Sequence, residues 1–302
     1  MKAVIVGGVR TPFLKAGTDF RHLSAVELGK VAVRELLART GVPGEIVDQL
    51  VYGTVVHDPQ APNIAREVGL ATLPKAVPAT TVSRQCATAN QAITDAANMI
   101  EVGTADVVVA GGSESLSRIP VLLSEKLADT LVTVSRAKTF RQKVSAAGRL
   151  RPKDLVPQMP RIAEPTTGES MGEAAERMAK ENGISRAAQD EWAHRSHTLA
   201  HRGFEDGRLA QEIAPLHLPP TFETVVDRDN GVRGDSSIEA LVNLRPVFDR
   251  RYGSITAGNA SPLTDGGAAV VLMSEGAALH DPRRTAGARA ARSRRRRRDF
   301  DI

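Results

Sequence analysis

Hydrophobic and polar positions in the first part of the chain follow two alternating patterns. Short apolar runs rich in β-branched residues predict strands. These runs lie at 3–6, 49–56, 80–83 and 106–110. Between them, apolar spacings of three and four residues predict helices that begin near Ser24, Asn63 and Ala87. Ser24 and Glu27 also form a capping-box pattern, which marks a helix start. Strands joined by helical crossovers predict an α/β protein with a largely parallel sheet.

A segment of more polar composition separates these elements from the last predicted strand. From about 117 to 245 the chain carries polar helices and Pro-bounded loops, with predicted surface helices at 171–182 and 186–206. The strand-and-glycine pattern resumes at Tyr252 and ends near Ser274. The simplest organisation is a domain of residues 1–279 whose sheet is interrupted by an inserted, mostly helical loop domain at about 117–245.

The only cysteine, Cys86, lies where the predicted strand at 80–83 gives way to a helix. At a helix N-terminus a thiolate is stabilised by the helix dipole and by unpaired backbone N–H groups. A nucleophilic cysteine requires such an environment. A lone thiol is more often a buried structural side chain, and position alone leaves both interpretations open.

Charge is distributed unevenly along the 302 residues. The formal net charge is +5, but residues 280–302 alone hold nine Arg and three Asp, so the rest of the chain is close to neutral. A single cysteine excludes an intramolecular disulfide framework and suits a reducing, cytoplasmic location. No apolar run approaches the roughly 18 residues that span a membrane. The first strand begins too early for a leader peptide to precede it. We therefore expect neither a membrane-spanning segment nor a leader peptide.

We expect the Arg-rich tail of 280–302 to be disordered, because it has almost no apolar side chains to offset the entropy cost of ordering. Five consecutive arginines at 294–298 raise the alternative of polyanion binding through this tail. No nucleic-acid-binding motif accompanies them and only 3% of residues are aromatic, so no specific nucleic-acid partner is expected. A frameshift in GC-rich DNA would produce the same Arg and Ala richness, and so would a genuine basic tail.

Two further patterns receive plain interpretations. His194, His197 and His201 recur at helical spacings and could share a metal-binding face. No acid or cysteine partner is fixed by the sequence and arginines lie close by, which favours a solvated helix and no metal. The glycine pairs at 7–8 and 111–112 lack the spacing of a dinucleotide site and are interpreted as turns.

Five segments carry a resemblance to a known family. They are 1–13, 86–92 (CATANQA), 111–115 (GGSES), 189–197 (QDEWAHRSH) and 256–269 (TAGNASPLTDGGAA). In this order they resemble the thiolases, which make and cleave carbon–carbon bonds in 3-oxoacyl-CoA esters. The second and fourth segments are most similar to degradative 3-ketoacyl-CoA thiolases, particularly the thiolase subunit of fatty-acid oxidation complexes. The match extends from residue 1 to about residue 279.

The resemblance implies a thiolase-like mixed, largely parallel sheet and an acyltransferase activity. The reaction would be CoA-dependent thiolytic cleavage of 3-oxoacyl-CoA to acetyl-CoA and a shortened acyl-CoA, as in fatty-acid β-oxidation. Cys86 takes the role of the nucleophile that becomes acylated. Coenzyme A is then a co-substrate, and no permanently bound cofactor is expected. The family also implies a homodimer and, in oxidation complexes, a hydratase/dehydrogenase subunit as partner.

Three further residues match family positions that contact CoA or the acyl chain. Met171 lies in a segment whose Met packs beside the acyl chain and pantetheine, although Ser170 stands where many relatives have His. Arg233 matches an arginine that lies against the CoA adenine, and Ser261 matches a serine whose hydroxyl bonds the pantetheine amide. The alternatives are a core methionine at a helix start, a solvated surface arginine and a local serine turn.

The family pattern includes a second core domain that repeats the first. That repeat supplies a His in a Gly-His-Pro motif, an Asn- or His-bearing loop, and a second Cys in a Cys-x-Gly-Gly-Gly motif, none of which occurs in this sequence. The His activates the nucleophile, and the second Cys serves as the other acid and base. We therefore expect the 302-residue chain to be truncated relative to the family and impaired or inactive. The alternative is a non-catalytic CoA-binding or scaffold fragment.

Overall fold

The computed structural model describes residues 1–148, 150–158, 163–164 and 166–279. The chain divides into two compact units. The first comprises Met1–Arg118 and the described residues from Ile184 onward, and the second comprises the described residues of Ile119–Gly183. The predicted loop domain of about 117–245 begins close to the start of the second unit and runs on into the first. The predicted disordered tail of 280–302 lies outside the described residues.

A six-stranded sheet forms the centre of the first unit. The strands in chain order are β1 (Ala3–Arg10), β2 (Leu14–Lys15), β3 (Gln49–Gly53), β4 (Ala79–Val82), β5 (Val107–Ser115), β6 (Leu216–His217), β7 (Val225–Val226) and β8 (Thr264–Ser274). The sheet has the order β1-β8-β5-β3-β4, with β2 also paired to β8, while β6 and β7 form a two-stranded ribbon. β3 runs parallel to β4 and β5, and β8 runs antiparallel to β1, β2 and β5. The expected mixed α/β fold is confirmed.

Helices fill the predicted crossovers and most of the second unit. They are α1 (Ala25–Thr40), α2 (Ile64–Thr72), α3 (Thr88–Glu101), α4 (Glu125–Arg136), α5 (Phe140–Ala147), α6 (Met171–Glu181), α7 (Arg186–Glu205), α8 (Arg208–Glu212), α9 (Ile238–Val242) and α10 (Glu275–Leu279). The capping box predicted at Ser24 and Glu27 is present at the start of α1. None of the helices that the structure describes is long and apolar enough to cross a bilayer.

Alternate residues of the central strands enter two hydrophobic layers. Val107 and Val109 of β5 pack into a cluster with buried residues of α1 and α2 on one face of the sheet. Val108 and Ala110 pack into a second cluster with buried residues of α3 on the other face. Because β5 is covered on both faces, its sequence is a continuous apolar run rather than an alternating one.

The interpretation of the two glycine pairs as turns is wrong. The pair at 7–8 lies within β1 and the pair at 111–112 lies within β5. A Cβ atom at Gly111 would collide with the carbonyl oxygen of Ala268 in β8, and one at Gly112 would lie 2.9 Å from the carbonyl oxygen of Gly53 in β3. Glycine therefore serves here to let neighbouring strands approach closely.

Candidate active site

Cys86 lies on a tight turn between β4 and α3, two residues before the first helical residue, Thr88. The preceding residue, Gln85, has φ = 50°, in the left-handed region that side chains other than glycine rarely adopt. Such a conformation costs on the order of 1–3 kcal/mol and persists only where its surroundings impose it. Cys86 is exposed, which contradicts the alternative of a buried structural cysteine.

Thr88 imposes the turn. Its buried Oγ1 accepts a hydrogen bond from the Arg84 amide (2.8 Å) and donates one to the Gln85 carbonyl (2.6 Å). The N-cap residue of α3, Ala87, makes no side-chain capping bond. The positive end of the α3 dipole therefore faces the Cys86 side of the turn.

A cavity of about 290 Å³ opens beside Cys86, within the first unit. The carboxyl ends of the parallel strands β3 and β5 supply Gly53 and Gly112 to its wall, and β8 supplies Ala268. Ligands of α/β proteins bind at this edge of a parallel sheet. Phe13 and Thr54 also line the cavity, so a small apolar group attached to the thiol would be enclosed on several sides.

Glu114, at the end of β5, fixes the loop that follows β3. Its carboxylate accepts hydrogen bonds from the Val55 amide (2.7 Å) and from Thr54 Oγ1 (3.0 Å), and a weaker one from the Val56 amide (3.3 Å). Because Thr54, Val55 and Glu114 all line the Cys86 cavity, this carboxylate sets the shape of one cavity wall. Glu114 lies in the GGSES segment, but its partners are 58 to 60 residues away, so its position along the chain does not indicate this role.

Ser261 is exposed and lies at the end of a loop, 254–261, in which Thr256 is buried. Asn259 holds this loop: its Oδ1 accepts a bond from the Thr256 amide (2.7 Å), and its Nδ2 donates to the carboxylate of Asp190 on α7 (2.9 Å). Asp190 is fully buried and also accepts a bond from Arg186 Nε (2.7 Å). The structure therefore builds the predicted Ser261 loop on α7.

Arg233 is exposed in a loop that two anchors hold. Asp229 forms a two-pronged ion pair with Arg10 (2.7 and 3.0 Å). Further along, the backbone amide of Arg233 donates to Nδ1 of His197 on α7 (3.3 Å). Among the described residues that line the Cys86 cavity, neither Arg233 nor Ser261 occurs.

Met171 belongs to the second unit, where it is the first residue of α6. Ser170 caps this helix in a capping box with Glu173. Met171 is 49% exposed, which contradicts the alternative of a core side chain at the helix start. Three of the four predicted site residues thus lie in the first unit and one in the second.

The prediction of a solvated helix is wrong for two of the three α7 histidines. His194 and His197 are half-buried, and the buried Nδ1 of His194 has no hydrogen-bond partner in the part of the chain that the structure describes. Burial, followed by the charges of Arg233 and Lys15, lowers the pKa of His197 below its usual value. No group of three or more metal-binding side chains occurs within the described residues.

The comparison with protein families decides the assignment. The model of the thiolase N-terminal domain matches residues 3–276. The chain belongs to the thiolase family. It is 48% identical over 275 residues to the 3-ketoacyl-CoA thiolase of Pseudoalteromonas translucida, covering 91% of this chain and 63% of that protein. It is also 48% identical over 278 residues to that of Aeromonas salmonicida, covering 92% and 64%. This thiolase chain thus spans less than two thirds of the length of these curated relatives.

Solved thiolase structures share its fold. The crystal structure of the Bacillus anthracis acetyl-CoA acetyltransferase matches with a TM-score of 0.78 and 34% identity, covering 92% of this chain and 66% of that one. The human mitochondrial 3-ketoacyl-CoA thiolase in complex with CoA matches with a TM-score of 0.76 and 28% identity, covering 91% and 65%. The family membership inferred from the sequence segments is confirmed.

Proposed function

We propose that Cys86 is the acyl-accepting nucleophile of a thiolase-type acyl transfer on 3-oxoacyl-CoA esters. The observation that carries the proposal is an exposed thiol on a strained turn, beside the N-terminus of α3 and a cavity at the carboxyl edge of β3 and β5. The names of the relatives and the CoA bound to one similar structure support CoA esters as the substrate class.

The reaction has two steps. The Cys86 thiolate adds to the 3-keto carbon of the substrate, the bond between C2 and C3 breaks, and the acyl group stays on sulfur as a thioester. The acetyl-CoA enolate leaves and takes up a proton. The thiolate of a second CoA then attacks the thioester, which releases the shortened acyl-CoA and restores the Cys86 thiolate.

Full turnover needs a base for the thiol and an acid for the enolate. The sequence resemblance assigns these roles to family motifs that are not found among the 302 residues. The proposal for the residues described here is therefore the acyl-acceptor step.

The pathway, the co-substrate and the partner subunits belong to the same proposal. The similarity to thiolases of fatty-acid oxidation favours a place in β-oxidation, with CoA as co-substrate and no permanently bound cofactor. It also favours a homodimer that pairs with a hydratase/dehydrogenase subunit. Met171, Arg233 and Ser261 would contact the acyl chain, the adenine and the pantetheine amide, respectively.

A second candidate is CoA binding without catalysis. It is favoured by the independence of the two loops that carry Arg233 and Ser261, because α7 and the β1 end hold them through bonds that do not involve Cys86. Binding through these loops would survive even if the thiol were inert.

The test is acylation of the intact protein. Incubation with acetyl-CoA transfers the acetyl group to Cys86 and releases free CoA, so intact mass spectrometry should show one added acetyl group that Cys86→Ala lacks. Iodoacetamide should label the same single site. A folded protein that resists both reagents contradicts the nucleophile. CoA binding that persists in such a protein, measured by calorimetry, would support the non-catalytic candidate.

A further inference from the structure

Asp190 is a fully buried carboxylate whose two oxygens have different partners. Oδ2 accepts a bond from Nε of Arg186, one helical turn earlier on α7, at 2.7 Å. Oδ1 accepts a bond from Nδ2 of Asn259, 69 residues further along the chain, at 2.9 Å. Burial of a carboxylate costs free energy unless it is paired and hydrogen-bonded. Arg186 and Asn259 meet both conditions, so this carboxylate connects a helix to a loop.

Asn259 connects Asp190 to the loop at 254–261 through further hydrogen bonds. Its Nδ2 also donates to the Ser254 carbonyl (3.0 Å), and its Oδ1 accepts from the Thr256 amide (2.7 Å). Thr256 is buried, and its Oγ1 accepts bonds from the amides of Gly258 and Asn259 (3.2 and 3.3 Å). The loop is thereby closed on itself and attached to α7 through two contacts: Asn259 with Asp190, and Ser254 Oγ, which accepts a bond from Gln189 Nε2 (2.9 Å).

Gly258, in the same loop, is packed closely against the end of α9 and the residues that follow it. A Cβ atom at Gly258 would lie 2.5 Å from side-chain atoms of both Leu241 and Leu244. Arg186, the cation that pairs with Asp190, also donates through Nη2 to the carbonyls of these two leucines (2.6 and 3.1 Å). The ion pair therefore sets the loop, the end of α9 and α7 in one arrangement, while Ser261 itself remains exposed.

We propose that Asp190 is a positioning residue for the pantetheine-facing loop: through Asn259 it holds the Ser261 hydroxyl where the pantetheine amide of CoA binds. This rests on the proposed function, in which Ser261 contacts pantetheine. The Arg233 loop has its own anchors, at Asp229 and His197. The effect of Asp190 is therefore restricted to the part of CoA that carries pantetheine.

Binding of two ligands can distinguish a positioning role of Asp190 from a general role in folding. CoA carries both pantetheine and adenine, whereas adenosine 3′,5′-bisphosphate carries only the adenine end. In Asp190→Asn, an amide replaces the carboxylate and can no longer accept from both Arg186 and Asn259. We expect Asp190→Asn and Ser261→Ala to weaken CoA binding about tenfold, the value of one hydrogen bond. Binding of the bisphosphate should change less than about twofold.

A rescue variant tests the specific contact. Asn259→Asp alone places a carboxylate against Asp190 and should weaken CoA binding at least as much as Asp190→Asn. The double variant, which combines Asp190→Asn with Asn259→Asp, regains the contact because the new amide at position 190 donates to the new carboxylate at position 259. Both variants that carry Asn259→Asp lose the bond from Nδ2 to the Ser254 carbonyl, so the CoA affinity of the double variant should exceed that of Asn259→Asp alone. Asp206→Asn, which alters an exposed carboxylate at the end of the same helix, is the matched control and should change the binding of neither ligand.

Calorimetric titration of the full chain with both ligands distinguishes the outcomes. Equal losses for CoA and the bisphosphate in Asp190→Asn would show a structural role only and overturn the positioning role. Unchanged CoA affinity with a lowered melting temperature would overturn it as well. If the wild-type chain binds the bisphosphate and CoA equally well, pantetheine has no site and the proposed contact of Ser261 is wrong. If it binds neither, CoA binding itself fails and the positioning role falls with it.

Discussion

Arg10 and Asp229 form a two-pronged ion pair, with Nη1–Oδ1 and Nη2–Oδ2 distances of 2.7 and 3.0 Å. The pair joins the end of β1 to the loop that carries Arg233. Asp229 also accepts the amide of Phe13 (2.7 Å), and the Arg10 guanidinium stacks 4.8 Å from the centre of the Phe13 ring. Since Phe13 lines the Cys86 cavity, one carboxylate supports both a cavity wall and the Arg233 loop.

Removal of this carboxylate should be strongly destabilising. The side chains of Arg10 and Asp229 are only 14% and 15% exposed, so Asp229→Ala leaves a largely buried guanidinium without its main partner. We expect the free energy of unfolding to fall by about 3 kcal/mol, measured by urea denaturation. Glu212→Gln, which alters the more exposed partner of Arg10 (48%), is the control and should cost less than about 1 kcal/mol. Similar small losses for both variants would contradict this account.

Thr88 should control the reactivity of Cys86. Thr88→Val keeps the shape of the side chain but removes the hydroxyl that bonds Arg84 and Gln85. The left-handed residue before Cys86 then loses the bond that imposes its conformation, and the thiol loses its orientation. We expect acetylation of Cys86 by acetyl-CoA to slow by at least about tenfold, followed by mass spectrometry over time. Thr94→Val, on an exposed part of α3, should leave the rate unchanged. Equal rates in both variants would show that Thr88 does not control the reactivity of Cys86.

Gly111 and Gly276 provide a matched pair of glycines. At Gly111, a Cβ atom meets the backbone of Ala268 and Ala269 in β8, which cannot move aside within a paired sheet. Gly111→Ala should therefore cost about 1–3 kcal/mol or more in the free energy of unfolding. At Gly276, within α10, a Cβ atom meets no atom of the described residues within 4 Å outside the helix's own backbone. Gly276→Ala should instead add roughly 0.5–1 kcal/mol, and a loss there would show that the helix end is packed differently.

Local features of the fold were readable from the sequence. The start of α1 follows from the capping pattern of Ser24 and Glu27, because both partners lie within one helical turn. The position of Cys86 between β4 and α3 follows from the change of apolar spacing at that point. Both predictions depend only on neighbours along the chain.

Features that depend on distant pairing were not readable. The glycine pair at 111–112 resembles a turn until the register places Gly111 opposite Ala269 of β8. The partner of Asp190 is Asn259, and that of Arg10 is Asp229, more than 200 residues away. The motif segments fall in the part of the chain that the family model matches, but the sequence could not show which side chain in each segment contacts which.

His197 should make stability depend on pH. Its Nδ1 must be unprotonated to accept the Arg233 amide (3.3 Å). Burial and the neighbouring Arg233, Lys15 and His194 lower its pKa in the folded chain, and among the described residues the charge of Asp235 acts in the opposite sense. The unfolded chain, with an ordinary histidine pKa near 6.5, therefore binds a proton before the folded chain does.

The direction of this pH dependence follows from the number of protons that the folded and unfolded states bind. Where the unfolded state holds more protons, the free energy of unfolding rises with pH, so the contribution of His197 is complete above about pH 6.5 and is lost as the pH falls toward its lower, folded-state pKa. His197→Asn keeps an acceptor oxygen near Nδ1 but does not titrate. Urea denaturation between about pH 7.5 and 5.5 should show that wild-type stability falls more steeply than that of His197→Asn, whereas His22→Asn, at an exposed position, should parallel the wild type. A difference between wild type and His197→Asn that stays constant across this range would mean that His197 keeps the same protonation state in the folded and unfolded chains.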